Sequence, residues 1–438
     1  AWLRELGDRL AADWERFGMQ GVYPFLEDLL RDSQRLHVRQ RLMGFDLIRA
    51  NPQLCGYNLT GMLDHGMTGE GLWTFWREWK PGIVDALTDG WAPLRWCLFA
   101  SPLHGYLGRP LQIEAVLATE DVLPPGDYPV TARIAHHHGG IAWEQRAVAR
   151  IPAVKPGEDG PLAVPVLQEE VTLSDLAGDY TLAVELERGG SPAGGRLGLR
   201  LSDPGDLPQM QATVNVWGVD THVQRWLAAH GVACRPLAEG KSALPGVILV
   251  GDPGEEGQEV GRWRELVARI HTGSVALFLS PMAFRRGDDP VGWLPLARKG
   301  RCYAFGDWLY HKECVAKAHP VFAGLQAPGI MDWDYYGAVI PHELFDGQDT
   351  PAEVMAAAFA VSYPCPGGYA SGVLMGAYPL GAGRFVLNTL RILDLVDRHP
   401  AADRLLLNLI RYALEHASIA PAELPGDLPA QWTQLGYA

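Results

Sequence analysis

Apolar side chains recur near a 3.6-residue period through residues 1–52: Trp2, Leu3, Leu6 and Leu10, then Phe25, Leu26, Leu29 and Leu30, then Leu42, Phe45, Leu47 and Ile48. This spacing predicts helices, divided at Gly18-Met19-Gln20-Gly21 and stopped at Asn51-Pro52, because a residue before proline avoids the α region. Leu54 to Leu63 reads as a buried strand ending in Asp64 and His65, which makes a helix–strand–loop unit of α/β type.

From Ala92 the rhythm shortens. Leu94–Phe99, Leu111–Leu117, Tyr128–Ile134, Ile141–Ile151, Leu162–Val166 and Tyr180–Glu187 are strand candidates, parted by turn formers such as Pro124-Pro125-Gly126-Asp127 and His138-Gly139-Gly140. Short strands at this spacing predict an antiparallel β-sandwich over 92–203. After the linker Asp203-Pro204-Gly205-Asp206 the pattern alternates: strand 212–217, helix 220–230, strand 246–251, helix 257–271 and strand 274–280. Strands 372–377 and 384–388 and a helix from Ala401 to His416 complete a doubly wound, flavodoxin-like α/β domain over 207–417 with a mainly parallel sheet. The Pro-rich tail 418–438 is expected to be poorly ordered. The fold class is therefore multidomain, α/β and β.

Composition narrows the chemistry. At 438 residues, with 47% hydrophobic and 20% charged residues, the chain has the makeup of a globular protein of several domains. A net charge of -14 with no basic run argues against a nucleic-acid partner. No apolar run reaches the roughly 18 residues of a membrane span, so no membrane partner is expected. The six cysteines are dispersed without a C-x-x-C pair, which favours neither structural zinc nor a disulfide framework. The first residue is Ala1, with no Met and no signal-peptide pattern, so the natural N-terminus is expected to lie upstream.

Candidate chemistry gathers in the run Leu54–Lys80. Asp64, His65 and Glu70 supply groups that bond hydroxyls, while Trp73, Trp76 and Trp79 offer faces that stack on pyranose rings. We take Asp64, His65, Glu70 and Trp73 as candidate substrate-binding residues. The structural alternatives are that Asp64 and His65 cap the loop, that Glu70 serves a turn, and that Trp73 and Trp76, three apart, share one face of a helical turn and pack together. His136-His137-His138 would point to alternate faces of a strand and so fits an exposed hairpin better than a metal site; no metal or cofactor is expected. Asp332-Trp333-Asp334-Tyr335-Tyr336 suits either a sugar patch or, with more weight, a subunit interface.

The first 100 residues, with helix 33–50, strand 54–63 and GEGLWTFWREWKPG leading to Trp91-Ala92-Pro93-Leu94, resemble the closing part of a glycoside hydrolase family 2 catalytic barrel, of β-galactosidase and β-glucuronidase type. That resemblance implies that residues 1–91 end an incomplete (β/α)8 barrel. It further implies retaining hydrolysis of β-linked sugars by two glutamates that follow barrel strands four and seven and would precede Ala1. A barrel takes roughly 250 residues. No catalytic residue is therefore assigned within the chain, and the chain alone is expected to be inactive.

HPVFAGL at 319–325, GAGRFVL at 381–387 and HPAADRLLLNLIRYA at 399–413 are similar to segments of the glutamine-amidotransferase-like domains that follow the barrel in family 42 β-galactosidases. The strand Val275–Leu279 leads into Ser280-Pro281-Met282 without a Cys nucleophile, so the resemblance implies a retained fold, lost chemistry and a role in homo-oligomer assembly. The reading from another class is a non-enzymatic carbohydrate-binding or oligomerisation scaffold, and upstream coding sequence is what separates the two.

Overall fold

The structure is a computed structural model that describes residues 2–54, 56–59, 61–64, 69, 71–155, 157–187, 190–237, 244–305, 312–361 and 365–438. It divides into two compact units, Glu27–Asp206 and a second made of Ala1–Leu26 with Leu207–Ala438. The helices α1 (Trp2–Arg16), α2 (Leu26–Arg49) and α3 (Ile83–Gly90) precede the first sheet strand.

In the unit Glu27–Asp206, eight strands follow α3. These are β1 (Leu94–Ser101), β2 (His104–Tyr106), β3 (Pro110–Thr119), β4 (Gly126–His136), β5 (Ile141–Ile151), β6 (Ala163–Thr172), β7 (Gly178–Leu186) and β8 (Arg196–Ser202). They form a three-stranded sheet β1-β3-β6 and a five-stranded sheet β2-β8-β7-β4-β5. One core joins them: Trp96, Leu98, Ile113, Ala115 and Leu117 from the first sheet pack with Ile134, Tyr180, Leu182, Val184 and Leu199 from the second. The alternation on β7, with Tyr180, Leu182 and Val184 inward, is what a half-solvated antiparallel strand requires. Tyr180 is itself buried and donates its hydroxyl to the Leu176 carbonyl, which fixes the loop ahead of β7.

Buried charge fastens the helices to this sandwich. Arg95 on β1, 2% exposed, donates from Nε to Asp89 Oδ1 at 3.0 Å, from Nη1 to Asp46 on α2, and to Cys97 Sγ at 3.7 Å. Asp89 Oδ2 also accepts from Gly194 N at 3.1 Å, and Arg49 donates to the Gly90 carbonyl at 2.9 Å. Gly90 has no substitute here, since a Cβ would stand 2.2 Å from the Phe45 ring. Burial pushes the Asp46 carboxyl up to about 6, against the pull of the Arg95 guanidinium.

Between α2 and α3 the expected strand does not form. The described part of residues 54–63 is irregular apart from a single bridge from Leu63 to Trp73, and Leu54 and Met62 are 43% and 50% exposed. An apolar run becomes a strand only where neighbours accept its backbone groups, and Leu63 is where pairing begins.

In the other unit, β9 (Ala212–Trp217), β10 (Val232–Pro236), β11 (Val247–Val250) and β12 (Val275–Phe278) come first. They are followed by β13 (Arg301–Ala304), β14 (Glu313–Ala316), β15 (Gly329–Ile330), β16 (Glu343–Asp346), β17 (Glu353–Val361), β18 (Tyr369–Leu380) and β19 (Gly383–Asn388). The helices are α4 (Thr221–Ala229), α5 (Val260–His271), α6 (Trp333–Tyr336), α7 (Pro400–His416) and α8 (Leu428–Gln434). The main sheet runs β10-β9-β11-β12-β19-β18-β17-β14-β15. Its β10 to β19 portion is parallel, and β18, β17, β14 and β15 extend it antiparallel. The expectation of a mixed chain holds at that level: sheets dominate, helices are few.

The four residues of β11 (VILV) and of β12 (VALF) are all buried, as central parallel strands covered on both faces must be. Ile248, Val250, Ala276 and Phe278 pack under α5 with Trp263 and Ile270; the alternate residues Leu249 and Leu277 point the other way, toward the face where α7 lies. His399 caps α7 by accepting from Ala401 N at 3.2 Å, with Pro400 at the first helical position.

Two placements here differ from expectation. Helix α1, read from sequence together with residues up to 91, packs instead on β18. Asp13 Oδ2 accepts from Ser371 Oγ at 2.6 Å and Tyr369 hydroxyl at 3.1 Å, and Trp14 lies 5.1 Å from the Phe359 ring. The tail 418–438 is not loose. Tyr437 is fully buried in the core beside Trp263 and Trp293, Arg264 Nε donates to its carbonyl at 2.5 Å, and Arg286 donates to the Gly436 carbonyl at 2.7 Å. Proline interrupts regular structure but does not oppose docking when an aromatic anchor fills a core position.

Candidate functional site

The loop Leu63–Lys80 folds around Trp73. Leu72 N and Trp73 N both donate to the Met62 carbonyl at 3.0 Å, Asp64 N donates to the Trp73 carbonyl at 3.0 Å, and Trp73 bridges Trp79 on its other side. Thr74 N donates to the Glu78 carbonyl at 2.8 Å and Arg77 N to the Thr74 carbonyl at 2.8 Å, so residues 74–78 form a tight turn.

Asp64 is a clasp in this loop. Its Oδ1 accepts from Gly71 N and from Lys80 Nζ, each at 2.8 Å, and Lys80 Nζ also donates to the Gly69 carbonyl at 2.5 Å. The lysine is 5% exposed and the aspartate 20%, so the pair is largely shielded from water. Gly71 presses so close that a Cβ would lie 2.3 Å from Asp64 N. The carboxylate oxygen taken up in this way does the loop-capping work that was the structural alternative for Asp64. His65 and Glu70 lie outside the described residues.

Trp73 is half-buried, 4.9 Å from Trp79 with the rings at 70°, and its buried Nε1 has no acceptor among the described residues. The helical turn expected to put Trp73 and Trp76 on one face is absent, and the two indoles part company. Trp76 is 77% exposed, Phe75 52% and Trp79 49%. The outward indoles were visible as residue types in the sequence; which of them faces water depends on the turn.

Other sequence candidates disperse. His136 Nε2 sits 3.2 Å from the Ala177 carbonyl, His137 Nε2 lies 3.2 Å from Thr181 Oγ1, and His138 N donates to His136 Nδ1, so the three rings do not converge. In the segment 332–336 Asp332 caps α6 through Tyr335 N, and Tyr335 and Tyr336 are interior, the latter donating to the Gln326 carbonyl. The tyrosines are thus neither a sugar patch nor an interface face, because their rings are spent in the core. Ser280, where an amidotransferase would carry its nucleophile, is extended at φ -144 and accepts from Met282 N at 3.2 Å as a helix cap.

One polar cluster went unread. Glu353, the first residue of β17, accepts from Arg384 Nη1 at 2.8 Å and Tyr412 hydroxyl at 2.7 Å, with His319 Nε2 at 3.4 Å. Burial opposes the ionised carboxyl, but the bonds from Tyr412, His319 and Arg384 prevail and hold it below the usual carboxylate range. Burial lowers His319, and burial with the bond to Glu353 pushes Tyr412 up to about 12. Arg384, His319 and Tyr412 belong to the three segments singled out by resemblance, and the glutamate on which they meet carried no motif of its own.

No family model matches the sequence, and no curated protein matches it. Among solved structures it is similar to an alkylpurine DNA glycosylase of Pseudomonas fluorescens bound to DNA with an abasic site analog, at 19% identity over 26% of this chain and 32% of that one, TM-score 0.17. It is also similar to a glycosyl hydrolase family 2 member of Bacteroides cellulosilyticus, at 11% identity over 42% of this chain and 35% of that one, TM-score 0.20. A β-glucosidase of Listeria innocua in complex with glucose matches at 11% identity over 25% of this chain and 16% of that one, TM-score 0.17. The chain spans well under half the length of each, and scores of this size establish no common fold. Glycosidases are among its structural neighbours, and that is the extent of the likeness. Among the described residues no helix is long and apolar enough to cross a membrane.

Proposed function

We propose that residues 1–438 are the C-terminal portion of a retaining glycoside hydrolase that cleaves β-linked sugars, of the family 2, β-galactosidase type. In this reading residues 1–91 derive from the close of a (β/α)8 barrel, with α1 docked on β18 and no strand formed at 54–63 in the chain as it stands, and 92–203 are the sandwich that follows it. Residues 207–417 are an amidotransferase-like domain that has lost its chemistry and joins copies of the chain. The observation that carries the reading is the Leu63–Lys80 loop. A shielded Asp64–Lys80 clasp holds outward indoles just ahead of α3 and the sandwich. Flat aromatic faces held on a rigid loop are what a sugar site uses to orient a pyranose.

Retention needs a nucleophilic carboxylate and an acid/base about 5–5.5 Å apart, acting through a covalent glycosyl-enzyme. Asp64 is committed to Lys80 and Gly71 and supplies neither role. In this reading the pair is supplied by the family's barrel glutamates, and the loop orients the sugar through Trp73, with His65 and Glu70 as hydroxyl contacts. The test is to read the coding sequence upstream of Ala1 and to assay the complete product on a chromogenic β-galactoside. Two strand-end glutamates and a product of retained anomeric configuration are expected. Hydrolysis by residues 1–438 alone, or a start codon directly before Ala1, would overturn the reading and leave a carbohydrate-binding or oligomerisation scaffold.

A further inference from the structure

We propose that residues 418–438 are an acid-released strap: protonation of His271, at the end of α5 where the strap is tied, frees it and uncovers the seat of Tyr437. The device operates whether or not the chain belongs to a hydrolase.

The strap is anchored at its far end and lightly tethered at its near end. Leu428, Leu435 and Tyr437 are buried, whereas residues 419–424 are all exposed, Ile419 at 98%. Pro421 and Pro425 contribute no amide there. The backbone ties at the near end run from Ser418 N to the Gly273 carbonyl at 2.9 Å and from Ala422 N to the Thr272 carbonyl at 3.0 Å. Both acceptors lie within two residues of His271. A segment held by a few solvent-exposed hydrogen bonds opens at low free-energy cost, and opening here uncovers Trp263 and Trp293, against which Tyr437 packs.

His271 is the last residue of α5 and is 4% exposed, and neither of its ring nitrogens has a partner among the described residues. A Cβ on Gly381, in the turn between β18 and β19, would stand 2.5 Å from its Nδ1, so that turn presses directly on the ring. A neutral imidazole carries one N–H and one lone pair, and leaving both unmet in the interior works against the closed state. A charged ring is opposed more strongly. Burial holds His271 below its ordinary 6.5, although Asp427 on the strap draws it up. The other neighbours bring little: the turn Gly381-Ala382-Gly383 has no charge, Glu265 and Arg269 on α5 bond each other at 2.6 Å, and Glu415 and Glu423 are exposed. His416 Nδ1 donates to the Tyr412 carbonyl at 2.7 Å. Once the strap lifts, His271 meets water and titrates normally. The closed-state value is the lower one, so strap stability is fully present above pH 6.5 and is lost as pH falls below it.

The experiment is amide hydrogen exchange on the 438-residue chain between about pH 7.5 and 5.5, each rate divided by the intrinsic rate at that pH. The amides of Ser418 and Ala422 report the strap, and those of Leu249 and Leu277 in the central strands report the whole fold. In wild type the open population of the strap is expected to rise several-fold across this range, with about tenfold per pH unit as the ceiling that one imidazole sets, while the central amides keep their protection. His271→Phe keeps an aromatic ring and removes the titration, so its strap protection should stay level; His271→Leu serves where the phenylalanine does not fold. Protection of Ser418 and Ala422 that ignores pH in wild type, or that falls equally in both His271 variants, overturns the proposal. So does a loss shared by Leu249 and Leu277, which would be acid unfolding of the whole unit. A pH response that vanishes in Asp427→Asn and persists in His271→Phe also overturns it, because the carboxylate would then be the sensor.

Discussion

Replacing Tyr437 by Ala tests whether the C-terminal segment is part of the fold. Tyr437 is fully buried, packs against Trp263 at 6.2 Å and Trp293 at 5.6 Å, and donates its hydroxyl to the Trp293 carbonyl. Three cations reinforce the seat: Arg264 and Arg286 donate to the Tyr437 and Gly436 carbonyls, and Lys299 Nζ lies 5.5 Å from the ring centroid. A buried aromatic of this size removes about 150–250 Å² from water, worth about 4–6 kcal/mol at 25 cal/mol/Å². Truncation of buried aromatics to alanine costs about 3–5 kcal/mol.

That cost has a ceiling. If residues 428–438 undock as a unit, the global loss cannot exceed the free energy that seats them, and the remainder appears as local opening. The assay therefore needs two readouts, urea unfolding for global stability and limited proteolysis of residues 418–427 for opening. Tyr437→Ala should lose about 2–5 kcal/mol or expose the segment to protease, while Tyr437→Phe, which removes only the hydroxyl, should lose about 1 kcal/mol. A Tyr437→Ala protein unchanged in both readouts would refute the docking argument, because a side chain of this volume cannot leave a packed core silently.

Other substitutions probe the charged clusters. The raised Asp46 carboxyl, at about 6 against 3.8 unfolded, favours the protonated native state, so its contribution is fully present below pH 3.8 and is lost as pH rises through about 6. Asp46→Asn should flatten that part of a stability–pH profile, and an unchanged profile would contradict the burial argument. Glu353 and His319 act in the opposite sense: both are depressed, so their contributions are present above about 4.5 and 6.5 and are lost on acidification. Glu353→Gln should remove the lower of these two losses and cost about 1 kcal/mol at neutral pH, measured by thermal melts across pH. Lys80→Met should leave the Asp64 carboxylate without its cation and raise hydrogen exchange at Gly71 and Lys80, whose amides bond within the loop; protection like that of wild type would show the clasp to be dispensable.

Much of the architecture was legible in order and type. Short strand-like runs parted by turn formers placed β3, β4, β5 and β7, and the alternation of strand and helix segments placed β11 and β12, whose all-buried quartets carry the mark of two-face burial. The error at 54–63 came from the same rule: an apolar run records a preference for burial but not the partner that a strand also needs. The site was legible only as an inventory. Asp64 and the tryptophans were identifiable as sugar-type groups, yet the difference between a free carboxylate and a clasped one is the position of Lys80, 16 residues on and 2.8 Å away.

Local sequence, then, determined most of the long helices and the sandwich strands, since those depend on dihedral preferences and on neighbours within a few residues. Tertiary structure alone decided where α1 docks, where the tail is seated, and what Glu353 gathers. Asp13 meets Ser371 across 358 positions, Arg264 meets Tyr437 across 173, and Glu353 meets Tyr412 across 59. Each contact requires two faces brought together by the packing of everything between them, and no periodicity within either segment encodes the other's position.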